Sequence, residues 1–199
     1  MSPAKLSDNF YDKIKPRLYQ RVGEELCSAH RVLDLGCGNC ELAGYLSETY
    51  GHKVTGIDIS SACFPDKRKM SKNWPLVRCI HGSASRLDFI QNETIDAVVM
   101  FWSLHEMNDP KAVLQQAHDA LKPRGKILIV EFPRSSLAQK LWNEKYFSKQ
   151  QLVNYLDDAG FEHIQAGLIE NRQILWVSGY NSTKDSNKAA SVKVKMYAT

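Results

Sequence analysis

Asp34 and Asp58 stand on either side of a glycine pair, Gly36 and Gly38. They belong to the stretch Arg31-Val-Leu-Asp-Leu-Gly-Cys-Gly-Asn-Cys-Glu41 and the segment that follows it. Glycine has no Cβ, so the chain there can turn sharply and its backbone can approach a ligand. A valine at Gly36 is expected to fill the space that ligand needs. A carboxylate at 34 repels a pyrophosphate, but pairs with a cation or accepts from an amine. A carboxylate at 58, about 20 residues beyond the glycines, is placed to hold the hydroxyl pair of a ribose. A second chemistry-bearing run is Phe101-Trp-Ser-Leu-His105-Glu106-Met-Asn-Asp109. His105 suits a base or an orienting donor for a substrate; its alternative role is to cap loop backbone. Glu106 can do either job or bind a cationic substrate. Glu131, Phe132 and Arg134 follow another strand and are expected at the same mouth, where Arg134 either holds an acidic substrate or is a solvated loop residue. Cys37 and Cys40 form a C-x-x-C, but no second paired cluster completes the four ligands zinc usually takes, so no metal is expected. A redox dithiol at a helix start is the alternative.

The elements that must position these residues follow from the pattern. Val32 to Leu35 is an apolar run long enough for a buried strand, and Leu42, Ala43 and Leu46 recur at helical spacing. Strand, glycine turn and helix begin a nucleotide-binding βαβ unit, whose second strand is Lys53-Val-Thr-Gly-Ile-Asp58. The residue three after Gly38 is Glu41, which breaks the G-x-G-x-x-G of dinucleotide-binding domains. With Asp34, that favours an adenosyl ligand ending in an ammonium and carrying no phosphate. Helices are expected over 10–27, 60–73, 109–122 and 148–160. The third starts on Asp109 as N-cap with Pro110 behind it, and Pro123-Arg-Gly125 ends it. Further strands are expected at 76–80, 95–101 and 126–132, with a closing hairpin at 161–169 and 173–180. Seven strands, with helices between the first five, predict an α/β fold: a doubly wound, mostly parallel sheet with an antiparallel edge pair.

Val32-Leu-Asp-Leu-Gly-Cys-Gly38, Gly56-Ile-Asp58-Ile-Ser60, Gly82-Ser-Ala84 and Ile95-Asp-Ala-Val-Val-Met-Phe-Trp-Ser-Leu-His105 together resemble the class I S-adenosylmethionine-dependent methyltransferases, over roughly residues 28 to 180. The nearest resemblance is to the small-molecule, ubiquinone/menaquinone-biosynthesis type. It implies S-adenosyl-L-methionine as cofactor and S-adenosyl-L-homocysteine as product. Carried over residue by residue, it places Asp34, Gly36, Cys37, Gly38, Asp58, Ile59, Ser83, Ala84 and Phe101 around the cofactor, and His105 and Glu106 beside a small-molecule acceptor. It also makes residues 1–27 a helical lid, with Tyr11 and Tyr19 either contacting ligand or packing. Cys40 stands where many members have a third glycine, and Ser83 where many have an acid facing the adenine amino group.

The length, 199 residues, suits one domain with a sizeable core, expected over 1–180 with a flexible polar tail at 181–199. Net charge is +4. The tail holds Lys184, Lys188, Lys193 and Lys195 against Asp185, which is +3, so the remainder is only +1. So neutral a body lacks the footprint of a nucleic-acid binder. No apolar run is long enough for a membrane span, and no secretory signal is read at the N-terminus. Five cysteines, some within or beside strands, suit reduced thiols in a cytoplasm. The competing function is a methyltransferase-fold protein that binds the cofactor without catalysis, as a partner subunit or sensor.

Overall fold

A computed structural model describes residues 9–182. Strands β1 (Arg31–Leu35), β2 (Lys53–Asp58), β3 (Val77–His81), β4 (Ile95–Phe101), β5 (Leu121–Glu131), β6 (Phe161–Ile169) and β7 (Ile174–Asn181) form one sheet in the order β3-β2-β1-β4-β5-β7-β6. The first five run parallel, and β7 is antiparallel to both β5 and β6. Helices are α1 (Phe10–Glu25), α2 (Glu41–Tyr50), α3 (Lys67–Asn73), α4 (Pro110–Ala120), α5 (Leu137–Trp142) and α6 (Lys149–Asp158). This is the doubly wound sheet with an antiparallel edge hairpin that the pattern predicts.

A sheet covered on both faces needs strands that are apolar on both. Alternate residues divide accordingly. Val32, Val54, Ala97, Val99, Leu128 and Val130 pack with Leu18 and Val22 of α1 and Leu42 and Leu46 of α2. Leu33, Leu35, Ile57, Val98, Met100 and Ile129 pack with Val113 and Leu114 of α4 and Leu152 and Leu156 of α6. β1 pairs with β2 on one side and β4 on the other, so the order reverses at β1. Open α/β sheets bind ligands beyond the strand ends at such a reversal.

Three boundaries differ from expectation. Helix α4 starts where Asp109 caps it, the carboxylate accepting from Ala112 N at 3.0 Å, but it ends at Ala120. The Pro123-Arg-Gly125 turn therefore falls inside β5. The register against β4 jumps there from Ile95↔Leu121 to Ala97↔Lys126, and Arg124 takes φ 63°. A bulge absorbs the extra residues, which a reading by periodicity takes for a helix end. Asn181, expected in the tail, ends β7: it is buried and its Nδ2 donates to Leu121 O at 2.8 Å. The rest of the expected tail beyond residue 182, and the N-terminal eight residues, lie outside the described residues. The expected helix over 60–73 is confined to α3. A short helix, α5, and a 3-10 turn at Leu104–Glu106 carry too few residues for a periodic signal. No helix among the described residues is long and apolar enough to cross a membrane.

Candidate functional site

The loop between β1 and α2 is built by left-handed residues. Gly36 (φ 75°), Gly38 (φ 50°) and Cys40 (φ 59°) all occupy a region that penalises a side chain. Gly36 N and Cys37 N both donate to Ile57 O, at 2.8 and 3.2 Å, which ties the loop to β2. Gly38 N donates to Asp58 Oδ2 at 2.8 Å, and Ser60 N to Asp58 Oδ1 at 2.9 Å. Asp58 thus braces the loop as well as facing the cleft. A Cβ on Gly38 would meet nothing within 4 Å, so that residue opens to free space. A Cβ on Gly36 would lie 2.4 Å from Ser103 Cβ. A side chain at Gly36, which lines both hollows, therefore also meets the β4 loop, whose Ser103 Oγ donates to Leu35 O at 2.7 Å.

Two hollows meet at this loop. The larger, about 390 Å³, is lined by Asp58, Ile59, Ser83, Ala84, Trp102 and Glu106 among others. The smaller, about 210 Å³, is lined by Asp34, Cys37, Phe101, Tyr19 and Lys15 among others. Gly36, Gly38 and Trp102 belong to both. All nine residues assigned to the cofactor therefore line one hollow or the other. Ser83 Oγ shares a hydrogen bond with Ser85 Oγ at 2.9 Å.

Asp34 is only 2% exposed, and its Oδ2 makes no hydrogen bond among the described residues. Burial, and then the charge of Asp58, push its carboxyl up to about 7. A buried carboxyl without a partner is costly; here it faces the smaller hollow.

His105 lines neither hollow, although its neighbour Glu106 lines the larger one. Its Nδ1 is 2.8 Å from Glu131 Oε2 and its Nε2 3.1 Å from Glu144 Oε2, while Glu106 Oε1 is 3.9 Å from Nε2. Glu131 is fully buried and also accepts the amides of His105 and Phe132, each at 3.1 Å. Burial lowers the affinity of His105 for its second proton, but the Glu131 hydrogen bond and the charges of Glu131, Glu106 and Glu144 outweigh it, and the net shift is upward. Burial raises Glu106, opposed by His105 and reinforced by Glu144 and Glu131. Both ring nitrogens are thus engaged. The backbone-capping alternative for His105 falls instead to Glu131, which takes the loop's N–H groups. Arg134 points elsewhere, donating to Gln151 Oε1 at 2.8 Å.

An aromatic wall joins these parts. Trp102 stacks on Phe132 with centroids 4.9 Å apart, and Tyr146 packs edge-on to both Phe132 and His105. Tyr11 is spent on packing: its hydroxyl accepts from Ala138 N at 2.8 Å and donates to Gln173 Oε1 at 3.3 Å. Tyr19, in contrast, lines the smaller hollow. Ser103, Glu144 and Tyr146 were not singled out by sequence. Ser103 matters through a steric contact with Gly36. Glu144 and Tyr146 come from a polar, aromatic segment whose pattern gives no period to place them.

The cysteines depart from the expectation of reduced thiols. Cys40 and Cys79 are joined as a disulfide, and Cys37 Sγ lies 3.6 Å from Cys40 Sγ. Cys27 and Cys63 are free and exposed.

Compared with known proteins, residues 33–129 match a family described as a methyltransferase domain. The chain is 31% identical over 106 residues to the demethylmenaquinone methyltransferase of Staphylococcus saprophyticus, covering 52% of this chain and 45% of that protein. It is 30% identical over 124 residues to the mitochondrial arginine-hydroxylase NDUFAF5 of Danio rerio, covering 60% of this chain and 37% of that one. The chain thus spans less than half the length of these curated relatives. Among solved structures it resembles the 1,6-didemethyltoxoflavin-N1-methyltransferase of Burkholderia thailandensis, bound to its substrate and S-adenosylhomocysteine. That likeness has a TM-score of 0.70 at 21% identity, over 88% of this chain and 82% of that one.

Proposed function

We infer that this chain, which belongs to the class I S-adenosylmethionine-dependent methyltransferases, transfers a methyl group from that donor to a small-molecule acceptor. The observation that carries the reading is the orphaned, buried Asp34 oxygen beside a glycine loop open at Gly38. An ammonium satisfies that oxygen; a pyrophosphate does not. Asp58 in the larger hollow would take the ribose hydroxyls, with Ile59, Ser83 and Ala84 around the adenine. Asp34, Cys37 and Phe101 would line the amino-acid end. When bound, S-adenosylmethionine supplies an electrophilic sulfonium methyl, so the protein's task is mainly to hold an acceptor in line and, where needed, remove its proton.

We assign that proton to His105 or Glu106, of which Glu106 lines the larger hollow. Glu131 fixes the His105 ring by accepting at Nδ1, leaving Nε2 toward Glu144 at the rim. For Nε2 to act as a base, Glu144 must swing away and the ring must be neutral. Otherwise His105 positions the acceptor as a donor, and Glu106, with its carboxyl raised, is the alternative base. A nearly neutral domain body and aromatic rings beside His105 favour a small, ring-bearing acceptor over nucleic acid. The mitochondrial relative named as a hydroxylase motivates a second reading, in which the fold binds the cofactor without methyl transfer.

Incubation with methyl-labelled S-adenosylmethionine and a cell extract separated by size tests this. Label should enter the small-molecule fraction and depend on Asp34. Label confined to protein or nucleic acid, or no transfer at all despite tight cofactor binding, would overturn it.

A further inference from the structure

The C-x-x-C at the glycine loop is not explained by methyl transfer. We propose that the reduced protein binds one soft, low-coordinate cation of the monovalent-copper class through the three sulfurs of Cys37, Cys40 and Cys79.

The three Sγ atoms all lie within 4.8 Å of one another, although they come from a loop, a helix start and a neighbouring strand. The sheet makes room for them. Asp34 on β1, Gly56 on β2 and Cys79 on β3 occupy one row of the parallel ladder. Gly56, in the middle, has no side chain, and a Cβ there would fall 2.7 Å from Cys37 Sγ and 3.5 Å from Cys40 Sγ. The sulfurs of the loop therefore rest on bare backbone. Cys40 is fully buried, while Cys37 lines the smaller hollow, which gives the cluster a route to solvent.

The chemistry of the donor set selects the occupant. Soft thiolates favour soft metals, whereas magnesium and calcium require oxygen. Structural zinc takes four ligands, and among the described residues no fourth histidine, cysteine or carboxylate joins this cluster. Three sulfurs suffice for a trigonal d10 ion. A disulfide uses two of the three and strands Cys37, whereas a cation uses all of them. The Cα atoms of Cys40 and Cys79 are 7.1 Å apart, beyond the usual disulfide range of about 4.4–6.8 Å; a bridging ion spans a wider gap. Asp34 and Asp58 add negative potential. On binding, three S–H protons leave to solvent as three sulfur–metal bonds form. No electrons move once a phosphine reductant has opened the Cys40–Cys79 bond.

The test is an anaerobic competition on the full chain, reduced with a phosphine, against a chromophoric chelator holding monovalent copper. One copper should leave the chelator per chain, and X-ray absorption should count three sulfur neighbours. Losing an outer-shell partner typically costs about 10–100-fold in metal affinity, so Cys79→Ala, which removes a ligand, should weaken binding by about 100-fold or more. Cys63→Ala should not change it. Circular dichroism and S-adenosylhomocysteine binding establish that Cys79→Ala is folded, and Cys79→Ser is the second variant if it is not. No copper taken by the reduced chain, or unchanged affinity in a folded Cys79 variant, overturns the proposal. Either result leaves the methyltransferase reading intact, because cofactor binding is read separately.

Discussion

Asp34 sets a pH dependence on cofactor affinity whose size follows from its surroundings. Its carboxyl is pushed up to about 7 by burial and by Asp58, against an ordinary 3.8. In the ligand-free protein it is therefore mostly protonated at pH 6 and mostly ionised at pH 8. An ammonium bound at its unpartnered oxygen favours the ionised form, so binding weakens as pH falls through 7. With a carboxyl at about 7, the ionised fraction is about one eleventh at pH 6 and ten elevenths at pH 8. The expected loss is about 10-fold, or ~1.4 kcal/mol. S-adenosylhomocysteine keeps its ammonium across that range, so calorimetry at pH 6, 7 and 8 reads the effect directly. Asp58 and Glu106 also face the site, and Asp34→Asn separates their contribution. That variant should bind more weakly at pH 8 by about 1–3 kcal/mol, the loss expected when a charged hydrogen bond becomes a neutral one, and its affinity should be nearly flat with pH. The same slope in Asp34→Asn and the unmodified protein would refute the reasoning.

Other perturbations follow from the same contacts. Because a raised carboxyl favours the protonated fold, ionisation of Asp34 costs stability as pH rises from about 4 to 7. Asp34→Asn should therefore raise the melting temperature at pH 8 more than at pH 5, by about 3 kcal/mol of stability; equal shifts at both pH values would contradict this. Gly36→Val combines φ 75° with a Cβ 2.4 Å from Ser103 Cβ, so it should cost more than the ~1–2 kcal/mol of a left-handed side chain alone, read by denaturant unfolding. Asp58→Ala removes the acceptor of Gly38 N as well as the proposed ribose ligand, and calorimetry should give a loss of about 1–3 kcal/mol in cofactor binding. If His105 is the base, Glu131→Gln lowers its affinity for a proton, so the acidic limb of kcat/KM should move to lower pH. If His105 only positions the acceptor, that limb stays in place and His105→Ala lowers turnover with little effect on S-adenosylhomocysteine affinity.

The fold was legible because both of its periods are plain. Val32–Leu35 and Ile95–Phe101 are buried on both faces, and Asp109-Pro110 and Ser148 announce their helices through side-chain caps. The bulge at Pro123–Gly125 was not, since its residues read equally as a helix stop. The cofactor-side residues were legible from glycine spacing, because only the backbone of that loop has to be fixed. The rim was less so. The partner of His105, Glu144, comes from a segment with no period, and Glu131 was placed at the mouth without its role of gripping the ring. The meeting of Cys79 with Cys37 and Cys40 depends on strand register across Gly56, which no local pattern encodes.

The most direct test is calorimetry of the unmodified chain at pH 8 with S-adenosylhomocysteine and, separately, NAD. Asp34 at the strand end and Glu41 in place of a third glycine predict that S-adenosylhomocysteine binds one to one and NAD does not. Tight NAD binding with no response to S-adenosylhomocysteine would contradict the account.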